Sequence, residues 1–508
     1  MRTLADDLAV HAARHPDRIA LDTPGAAVTY RQLGDRITEL ARLLRSHGVR
    51  PETVCAVAVE HGRDAVAAMA AVLRCGGAFL TLDVGQPRDR LESFVRSAGA
   101  RLLLTTSAHA PALDLGVPVL HLDRPARPAP AEDPPFPPVE PRALAYVSHT
   151  SGSTGDPSPV LVEHHALDGY LRDTARALGL GPDTVVLQTA PLGYDASIRD
   201  TFAPLLAGAR LVLVERSRLL RPTEFVRTVR EHRVNALLSV TPSFLTHLAR
   251  QPDVPEPLAG VTLVASSGES LRPFLIAGGR RLVPGHLVNQ YGPTECTMTT
   301  TRHHVPTAPD PAADIVPAAP DPAADIVGLP RPGTTVRVLG PGLAPVPDGT
   351  VGEVYIGGSG VARGYGGLPA RTAACFVPDP YGPPGARLYR TGDLGRWTPQ
   401  GLRYEGRGDR QVKIRGYRVD PTEIEGALLT HPAVTGAVIT PDTDGRGRVY
   451  LAAHITGDHT TADAALRAHL ARTLPPHLMP RHFHRHTTLP TTRGGKANRR
   501  GLIAGSTV

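Results

Sequence analysis

A loop rich in glycine and hydroxyl residues occupies positions 149–159, with the sequence HTSGSTGDPSP. Backbone N–H groups in such a turn, together with the hydroxyls of Thr150, Ser151, Ser153 and Thr154, can surround the oxygens of a phosphate. The chain contains no G-x-x-x-x-G-K-[ST] pattern of ordinary nucleotidases, so the usual lysine is missing. Taken alone, the loop is equally compatible with a plain Ser/Gly turn, and a phosphate bound there needs a cation from elsewhere.

The residues before this loop indicate how it is held. Positions 144–148 read LAYVS, an apolar run that predicts a strand leading into the loop. Three stretches, 54–83, 184–215 and 234–266, each show an apolar run, a helical segment and a second apolar run. Such βαβ units predict parallel sheets covered by helices on both faces, and they place the loop at the end of a sheet.

Other stretches depart from this pattern. Residues 124–142 are rich in proline and predict an extended surface connector. A tandem copy over 306–327, PTAPDPAADIV followed by PAAPDPAADIV, is too short for a repeat architecture and predicts an insertion in a surface loop. Past Gly406 the pattern changes and predicts a separate small α+β domain, with a threonine-capped helix starting near Pro421.

Composition excludes several classes of protein. A chain of 508 residues is too long for one core, so two or more domains are expected. The four cysteines lie far apart, which favours neither a disulfide framework nor a zinc site. The net charge of +7 comes from scattered arginines, and only nine phenylalanines and one tryptophan are present to stack on bases, so no nucleic-acid partner is expected. No signal peptide or membrane-length apolar run occurs, which predicts a soluble cytoplasmic protein without a membrane partner.

Set beside one another, the motifs of the chain identify a family. The chain resembles the adenylate-forming superfamily, and most closely the amino-acid adenylation domains of non-ribosomal peptide synthetases. The resemblance rests on VTYRQL (28–33), LRCGGAFLTLD (73–83), LAYVSHTSGSTGDP (144–157), YDAS (194–197), NQYGPTE (289–295), GEVYIGGSGVARGY (352–365), YRTGDL (389–394), GRGDRQVKIRGYRV (406–419), LPPHLMP (474–480) and GGKANRR (494–500).

The resemblance implies an α/β fold in two parts. A large N-terminal adenylation core over 1–408 is expected to hold two helix-covered, mainly parallel sheets and a distorted β-barrel. A small mobile α+β C-terminal domain is expected over 409–508, with a hinge near Asp409 about which it swings between two half-reactions.

The implied chemistry has two steps and uses ATP and Mg²⁺. A carboxylate attacks the α-phosphate of ATP and pyrophosphate leaves, after which a thiol attacks the acyl-adenylate. Because two anions must meet in the first step, cations have to stabilise its transition state. By position in the motifs, Glu295 is implied as the Mg²⁺ ligand and Lys496 as the catalytic lysine that reaches the carboxylate and the α-phosphate together.

The motifs also imply a nucleotide site. Asn289 and Tyr291 are expected at the adenine and Thr294 at the phosphates. Asp393 is expected at the ribose hydroxyls, since one carboxylate can accept from both, and Arg407 at ribose or phosphate. The implied nucleotide-binding set is Thr150, Ser151, Gly152, Ser153, Thr154, Gly155, Asn289, Tyr291, Gly292, Thr294, Asp393 and Arg407.

In the loop itself the chain departs from the family pattern. Where the family continues T-G-x-P-K-G, this chain has Ser158 and Pro159 in place of the Lys-Gly pair. The missing lysine would face the departing pyrophosphate. Loss of one charge-assisted contact costs on the order of 1.5–3 kcal/mol, which weakens the first step without changing the reaction class. From the sequence alone, Ser158→Lys is expected to raise pyrophosphate exchange.

Asp195 is the most informative position for the substrate. In the amino-acid-activating branch an aspartate here pairs with the α-ammonium of the substrate, and a buried unpaired acid would be unfavourable. An alternative role for Asp195 is the N-cap of a helix starting at Ala196. The implied substrate-binding set is Asp195, Ala196, Arg199, Ser239, Ala265, Ser267, Gln290, Met298 and Thr299. It suggests a polar α-amino acid whose acidic or hydrogen-bonding side chain meets Arg199, unless Arg199 turns outward to solvent.

The remaining expectations concern partners and rival functions. No carrier sequence follows GGKANRR, so the thiol is expected on the phosphopantetheine of a separate, typically acidic peptidyl carrier protein, which a basic surface suits. Some relatives use a small activating partner protein, and the sequence does not decide whether this chain needs one. The rivals are an acyl- or aryl-CoA ligase of the same superfamily, and a catalytically impaired adenylation-like protein.

Overall fold

The computed structural model describes residues 3–124, 136, 138–151, 157–251, 256, 258–306, 324–414, 416–444, 448–490, 499 and 502. Within these residues the helices α1 to α13 span Leu4–Arg14, Tyr30–Ser46, Arg63–Arg74, Arg88–Ser97, His164–Ala177, Ala196–Leu206, Arg216–Leu219, Pro222–Glu231, Pro242–Ala249, Arg272–Ile276, Pro369–Cys375, Pro421–Leu429 and Asp463–Leu470. The strands β1 to β26 span Ile19–Thr23, Ala26–Thr29, Val54–Ala58, Ala78–Leu82, Leu102–Thr105, Val119–His121, Leu144–Thr150, Ser158–Glu163, Val185–Leu187, Arg210–Val212, Ala236–Val240, Leu263–Ser267, His286–Tyr291, Thr301–Val305, Ile326–Pro330, Thr334–Leu339, Gly352–Gly358, Gly364–Tyr365, Phe376–Pro378, Arg387–Thr398, Gly401–Arg407, Val412–Ile414, Tyr417–Val419, Val434–Thr443, Val449–Gly457 and His482–Arg485.

Two large sheets form the N-terminal part. The first has the order β18-β8-β7-β4-β3-β5-β6, and the second runs β16-β17-β20-β21-β15-β14-β13-β12-β11-β9-β10-β1-β2, with β19 paired to β20. The pairs β3–β4, β9–β10 and β11–β12 are parallel, as the three βαβ patterns predict. The antiparallel strands β16, β17, β19, β20 and β21 continue the second sheet through β15. The predicted α/β fold class is confirmed.

The first βαβ unit shows why these residues fold as they do. The strands β3 and β4 are buried along their whole length, which is typical of parallel strands covered on both faces. The helix between them is rich in alanine and buries every residue from Ala65 to Leu73, so it packs closely against the sheets. Gly76 follows the helix with a φ of 75°, which only glycine adopts without strain, and it ends the helix before β4.

A C-terminal unit, here the described residues from Val412 onward, has its own hydrophobic core. This core joins Ile414, Val419, Ile424, Ile439, Leu466, Phe483 and neighbours from the same stretch. Its sheet has the order β24-β25-β26, and α12 and α13 pack nearby. The helix predicted near Pro421 is α12, but its cap is Asp420, whose carboxylate accepts from the backbone N–H of Thr422 at 3.0 Å. The predicted threonine cap is therefore wrong.

In the described part of the chain no helix combines the length and the apolar character that crossing a membrane requires. The proline-rich positions 125–135 and 137, and the duplicated stretch over 307–323, lie outside the described residues.

A buried carboxyl beneath the N-terminal helix generates a stability prediction. Asp168 in α5 accepts from the backbone N–H of Leu4 through Oδ1 at 3.2 Å, while its shielded Oδ2 has no partner among the described residues. Burial raises the pKa of Asp168 from 3.8 to about 7, and the nearby Arg172 only partly opposes this shift. The folded protein thus holds a proton that the unfolded chain releases, so its stability falls as the pH rises from about 4 to about 7.

Asp168→Asn keeps the acceptor for Leu4 and removes the titration. We therefore expect the free energy of unfolding of this variant to gain on the wild type across that pH window, by on the order of a few kcal/mol. Chemical denaturation of both proteins at about pH 4 and about pH 8 measures the gain. A difference between the two proteins that does not change with pH would contradict it.

Candidate active site

A strained turn after β13 places Glu295 in the interior. A Cβ added at Gly292 would lie 2.5 Å from the Met298 carbonyl oxygen and 2.6 Å from the Thr300 nitrogen, so the turn requires glycine there. Thr297 and Met298 have φ values of 58° and 68°, which are unfavourable for residues with a side chain. Such strain is frequently found at functional sites, and here it surrounds a carboxylate that has no exposed surface.

Glu295 is held by two tyrosines and one arginine. Tyr365 donates its hydroxyl to Glu295 Oε1 at 2.8 Å, and the hydroxyls of Tyr365 and Tyr389 lie 3.3 Å apart. Nη1 of Arg418 donates to both carboxylate oxygens, at 3.1 and 3.0 Å. Burial alone would raise the pKa of Glu295, but the Arg418 charge and the Tyr365 hydrogen bond hold it below its usual value. Glu295 is therefore an ionised carboxylate whose counter-charge comes from the C-terminal unit.

Asp393, the residue predicted to bind the ribose, lies in a second polar cluster beside that of Glu295. Asp393 Oδ2 accepts from the Tyr291 hydroxyl and Oδ1 from Arg407 Nη1, both at 2.6 Å. The pairing of β20 with β21 sets Asp393 opposite Arg407. Arg407 also bridges to both oxygens of Asp409 at 2.7 and 2.6 Å, which links this cluster to the predicted hinge. Asn289 lies on the same strand as Tyr291 and donates Nδ2 to the Ile326 carbonyl at 2.8 Å.

Lys413 reaches the same place from the C-terminal unit. Its Nζ lies 5.7 Å from the centre of the Tyr291 ring and 5.4 Å from that of Tyr404. Burial lowers the pKa of Lys413, although the nearby Asp393 opposes the shift. The sequence prediction missed both Lys413 and Arg418, since a basic run such as GRGDRQVKIRGYRV does not show which of its cations face a site.

The described ends of the glycine-rich loop lie close to Glu295. Thr150 has a shielded hydroxyl without a partner in the described structure, and Ser151 donates Oγ to the Arg418 carbonyl at 3.1 Å. The predicted residues Gly152, Ser153, Thr154 and Gly155 lie outside the described residues, and so does Lys496. Their assigned roles stay predictions.

The structure places four of the residues predicted to bind substrate around the guanidinium of Arg199, and we call this cluster the chamber: Ser239, Ser267, Gln290 and Thr299. Arg199, on α6, has the largest side chain among the fully buried residues that the structure describes. The alternative in which it turns outward to solvent is therefore wrong. Arg199 donates to Gln290 Oε1 at 2.7 Å, to Thr299 Oγ1 at 3.0 Å, and to Ser267 Oγ at 3.2 Å. It also donates to Ser239 Oγ through Nη2 at 2.7 Å and through Nε at 3.1 Å.

Two further residues of this chamber were not predicted. Tyr170 accepts from Arg199 at 3.3 Å, and Asp200 receives a short hydrogen bond from the Ser239 hydroxyl. Burial alone would lower the pKa of Arg199, but Tyr170 and the Asp200 carboxylate keep it above its usual value. The chamber is therefore polar. The Ala196 carbonyl accepts from Ser239 at 3.3 Å, while Ala265 and Met298 are buried and their place at the substrate stays a prediction.

Asp195 precedes this helix and faces the turn that carries Glu295. Its Oδ2 is shielded from solvent and has no hydrogen-bond partner among the described residues. Burial raises the pKa of Asp195, while a hydrogen bond from the Thr294 side chain and the charge of Arg199 oppose the shift. The Asp195 side chain makes no capping hydrogen bond to α6, so the alternative role as an N-cap is not supported.

The C-terminal unit is seated directly over these clusters, in what we call the docked arrangement. In it Arg418 pairs with Glu295, and the backbones of Gly268 and Gly416 approach so closely that a Cβ on Gly268 would lie 3.3 Å from Gly416 Cα. Arg90 and Glu423 form a further, largely buried ion pair at 2.6 Å across the same boundary. The site thus consists of residues from both parts of the chain.

Comparison with known families follows the same division. A family model described as AMP-binding enzyme matches residues 8–366, and one described as AMP-binding enzyme C-terminal domain matches residues 423–496. The chain belongs to the AMP-binding enzyme family. Membership confirms the resemblance identified from the motifs, and the two models together match most of this chain.

Individual relatives agree with this assignment. Phosphinothricin tripeptide synthetase PhsC of Streptomyces viridochromogenes is 39% identical over 512 residues, covering 99% of this chain and 45% of that protein. A dimodular nonribosomal peptide synthase of Bacillus subtilis is 35% identical over 513 residues, covering 99% of this chain and 21% of that protein. The chain therefore spans less than half the length of these family members.

Solved structures share the fold over nearly the whole chain. An NRPS protein containing adenylation and PCP domains, bound to a vinylsulfonamide inhibitor, has a TM-score of 0.83 and 29% identity, covering 99% of this chain and 84% of that one. An artificially fused adenylation–PCP di-domain NRPS from Klebsiella oxytoca has a TM-score of 0.83 and 26% identity, covering 96% of this chain and 94% of that one.

The close approach at Gly416 generates a prediction about the docked arrangement. A Cβ at this position would lie 2.6 Å from Thr241 Cγ2, and the φ of 84° is strained for alanine. We expect Gly416→Ala to loosen docking and to increase hydrogen–deuterium exchange in β22, β23 and the turn at Glu295. Thr241→Ser removes Cγ2 but keeps the hydroxyl that caps α9, so adding it should partly restore protection. A Gly416→Ala effect that Thr241→Ser leaves untouched would contradict the steric account.

Proposed function

We propose that the protein activates the carboxylate of a polar α-amino acid as an aminoacyl-AMP, using ATP and releasing pyrophosphate. It then transfers the aminoacyl group to the phosphopantetheine thiol of a separate peptidyl carrier protein. The observation that carries this proposal is the shielded, unpartnered Oδ2 of Asp195, which lies beside Thr294 and hence one residue from Glu295.

An unpartnered carboxylate oxygen in the interior favours a cationic ligand. Leaving a buried charge uncompensated is strongly unfavourable, and an ammonium group supplies both charge and hydrogen-bond donors. Since Thr294 contacts Asp195 and the next residue is the proposed Mg²⁺ ligand, an amine held by Asp195 brings the attached carboxylate toward the phosphates. This arrangement supports an α-amino acid as the substrate. An acid without an amine would leave the Asp195 carboxylate unpaired.

The chamber around Arg199 supports a polar substrate side chain. All of the hydrogen bonds described for Arg199 go to neutral oxygens, and Asp200 reaches it only through Ser239. Gln290 Nε2 is a shielded donor without a partner in the described part of the chain. The chamber therefore offers a guanidinium that hydrogen-bonds to no carboxylate and one unpaired N–H donor, which suit a side chain that ends in an acceptor, such as a carboxylate or an amide carbonyl.

Glu295 fits the role of Mg²⁺ ligand once it is released from Arg418. Mg²⁺ in phosphate-transfer sites is held by one or two carboxylates together with substrate phosphates, so a single buried carboxylate is an adequate protein contribution. When bound there, Mg²⁺ neutralises phosphate charge. In the docked arrangement the guanidinium of Arg418 occupies both oxygens, and Lys413 lies over the proposed adenine-binding Tyr291.

The two half-reactions are therefore proposed to use different positions of the C-terminal unit. Activation requires Arg418 and Lys413 to withdraw, and we propose that the unit turns about Asp409, with the domain boundary between 408 and 409. Lys496 is then the proposed catalytic lysine. The docked arrangement is proposed for thiol transfer. The net charge of +7 suits an acidic carrier protein. Assays of this function are run both with and without a small activating partner protein.

Asp195 provides the test of this function. Asp195→Asn removes the charge that anchors the ammonium, so we expect amino-acid-dependent ATP–pyrophosphate exchange to fall by about 10- to 100-fold, mainly through the KM for the amino acid. The matched control is Asp168→Asn, which changes another buried aspartate to asparagine outside this site. The substrate of the rival CoA ligase would be an acid that lacks an amine. If exchange with such an acid is undiminished in Asp195→Asn or Asp195→Ala, the result would favour a CoA ligase instead.

A substrate panel tests the polar chamber. We expect the wild-type protein to exchange pyrophosphate most rapidly with amino acids whose side chains carry oxygen acceptors. Replacing the charge pair in Arg199→Leu/Asp200→Asn should shift the preference toward aliphatic amino acids, because both charges are removed together. A strong wild-type preference for a large aliphatic amino acid would contradict the chamber argument while leaving the adenylation reaction itself in place.

A further inference from the structure

Ser158 stands where the family pattern has a lysine, and the cation of another residue lies beside it. Ser158 begins β8 immediately after the glycine-rich loop, pairs with Thr150 across the hairpin, and has no exposed surface. Its Oγ accepts a short hydrogen bond from Nη1 of Arg371, a residue of α11 that is distant in sequence. The carboxyl-side end of the loop therefore carries a guanidinium supplied by another element.

Arg371 also belongs to the surroundings of Glu295. Its Cζ lies 4.7 Å from the centre of the Tyr365 ring, and the hydroxyl of that ring donates to Glu295 at 2.8 Å. The charges of Arg371 and Glu295 both act on the thiol of Cys375, whose pKa is raised mainly by burial. One aromatic ring thus separates the guanidinium from the proposed Mg²⁺ ligand.

Among the described residues, no carboxylate neutralises the charge of Arg371. Neighbouring arginines form ion pairs: Arg363 binds Glu52 and Glu163, and Arg390 binds Glu353. Arg371 has no ion pair with any described residue, and its single described hydrogen bond goes to the neutral Ser158. It is half-buried, and its other N–H groups have no partner among the described residues, so they can bind a ligand that enters beside Ser158.

We propose that Arg371 binds the β- and γ-phosphates of ATP and the pyrophosphate that leaves, in place of the lysine that this chain lacks at position 158. The inference rests on the proposed adenylation function. A guanidinium stays charged at every working pH and presents a planar pair of donors, which suits two oxygens of a polyphosphate. Ser158 and the Tyr365 ring hold this group in place, so little of its freedom is lost on binding.

The proposal changes what is expected of Ser158→Lys. Ser158 is buried against the Arg371 guanidinium, so a lysine there would bring a second cation to a position that already has one. We therefore expect Ser158→Lys alone to give no gain in pyrophosphate exchange. In an Arg371→Gln background the same lysine would replace the positive charge that was removed, so we expect it to recover part of the lost rate of pyrophosphate exchange.

Nucleotide binding separates phosphate recognition from a structural role. We expect Arg371→Gln to weaken binding of MgATP and of pyrophosphate by about tenfold, as measured by calorimetry, and to leave binding of AMP unchanged. Arg371→Lys should retain part of the affinity because it keeps the charge. The matched control is Arg337→Gln, which removes a guanidinium stacked 5.0 Å from the centre of the Tyr381 ring. Equal weakening of ATP and AMP, or no change in either, would overturn the proposal.

Pyrophosphate exchange provides the second measurement. We expect Arg371→Gln to raise the KM for pyrophosphate by about tenfold while the KM for the amino acid stays constant, and Arg371→Gln/Ser158→Lys to reverse part of this rise. If the wild-type protein exchanges pyrophosphate and Arg371→Gln does so equally well, Arg371 has no such role. If no amino acid supports pyrophosphate exchange by the wild-type protein, the proposed adenylation function is wrong. The comparison of ATP binding with AMP binding then still tests the role of Arg371.

Discussion

The buried carboxylate of Glu295 must be matched by a cation, and the organisation of the site follows from this requirement. A buried ion pair that loses one partner is destabilised by about 3–5 kcal/mol, because the remaining charge is left without compensation. In the docked arrangement the compensation comes from Arg418, which lies more than 100 residues later in the chain. Any other occupant of Glu295 has to be positively charged as well, so the proposed Mg²⁺ would compete with Arg418 for the same two oxygens.

Under the proposed function, this competition would give a physical reason for two positions of the C-terminal unit. Arg418 and Lys413 enter the clusters at Glu295 and Asp393 together, since both lie in the short strands β22 and β23. In the proposed withdrawal of the unit, these two cations would leave the region in which the proposed nucleotide and Mg²⁺ would bind. The electrostatic balance of the site can therefore be preserved in both positions, although the groups that supply it differ.

A second balance of charges lies on the substrate side. Arg199 and Asp200 are both buried and communicate through Ser239, while Asp195 keeps one oxygen without a donor. Thr294 joins Asp195 to Glu295, so the proposed anchor for an amine and the proposed metal ligand are connected through adjacent residues. The proposed role of Arg371 extends the same pattern, because it adds a positive charge where a polyphosphate would otherwise lack one.

The sequence by itself determined the α/β class, the three βαβ units, the small C-terminal unit and the family, because apolar periodicity and short ordered motifs are local properties of the chain. It also named Asp195, Arg199, Asn289, Tyr291, Glu295 and Asp393, which the structure brings into adjoining clusters. Only the tertiary structure decided that Arg418 and Lys413 face the site, that Arg199 points inward, that Asp420 caps α12, and that Arg371 lies against Ser158. These contacts join residues whose partners are set by the packing of sheets and helices, and a charge or hydroxyl in a sequence does not specify which distant group will neutralise it.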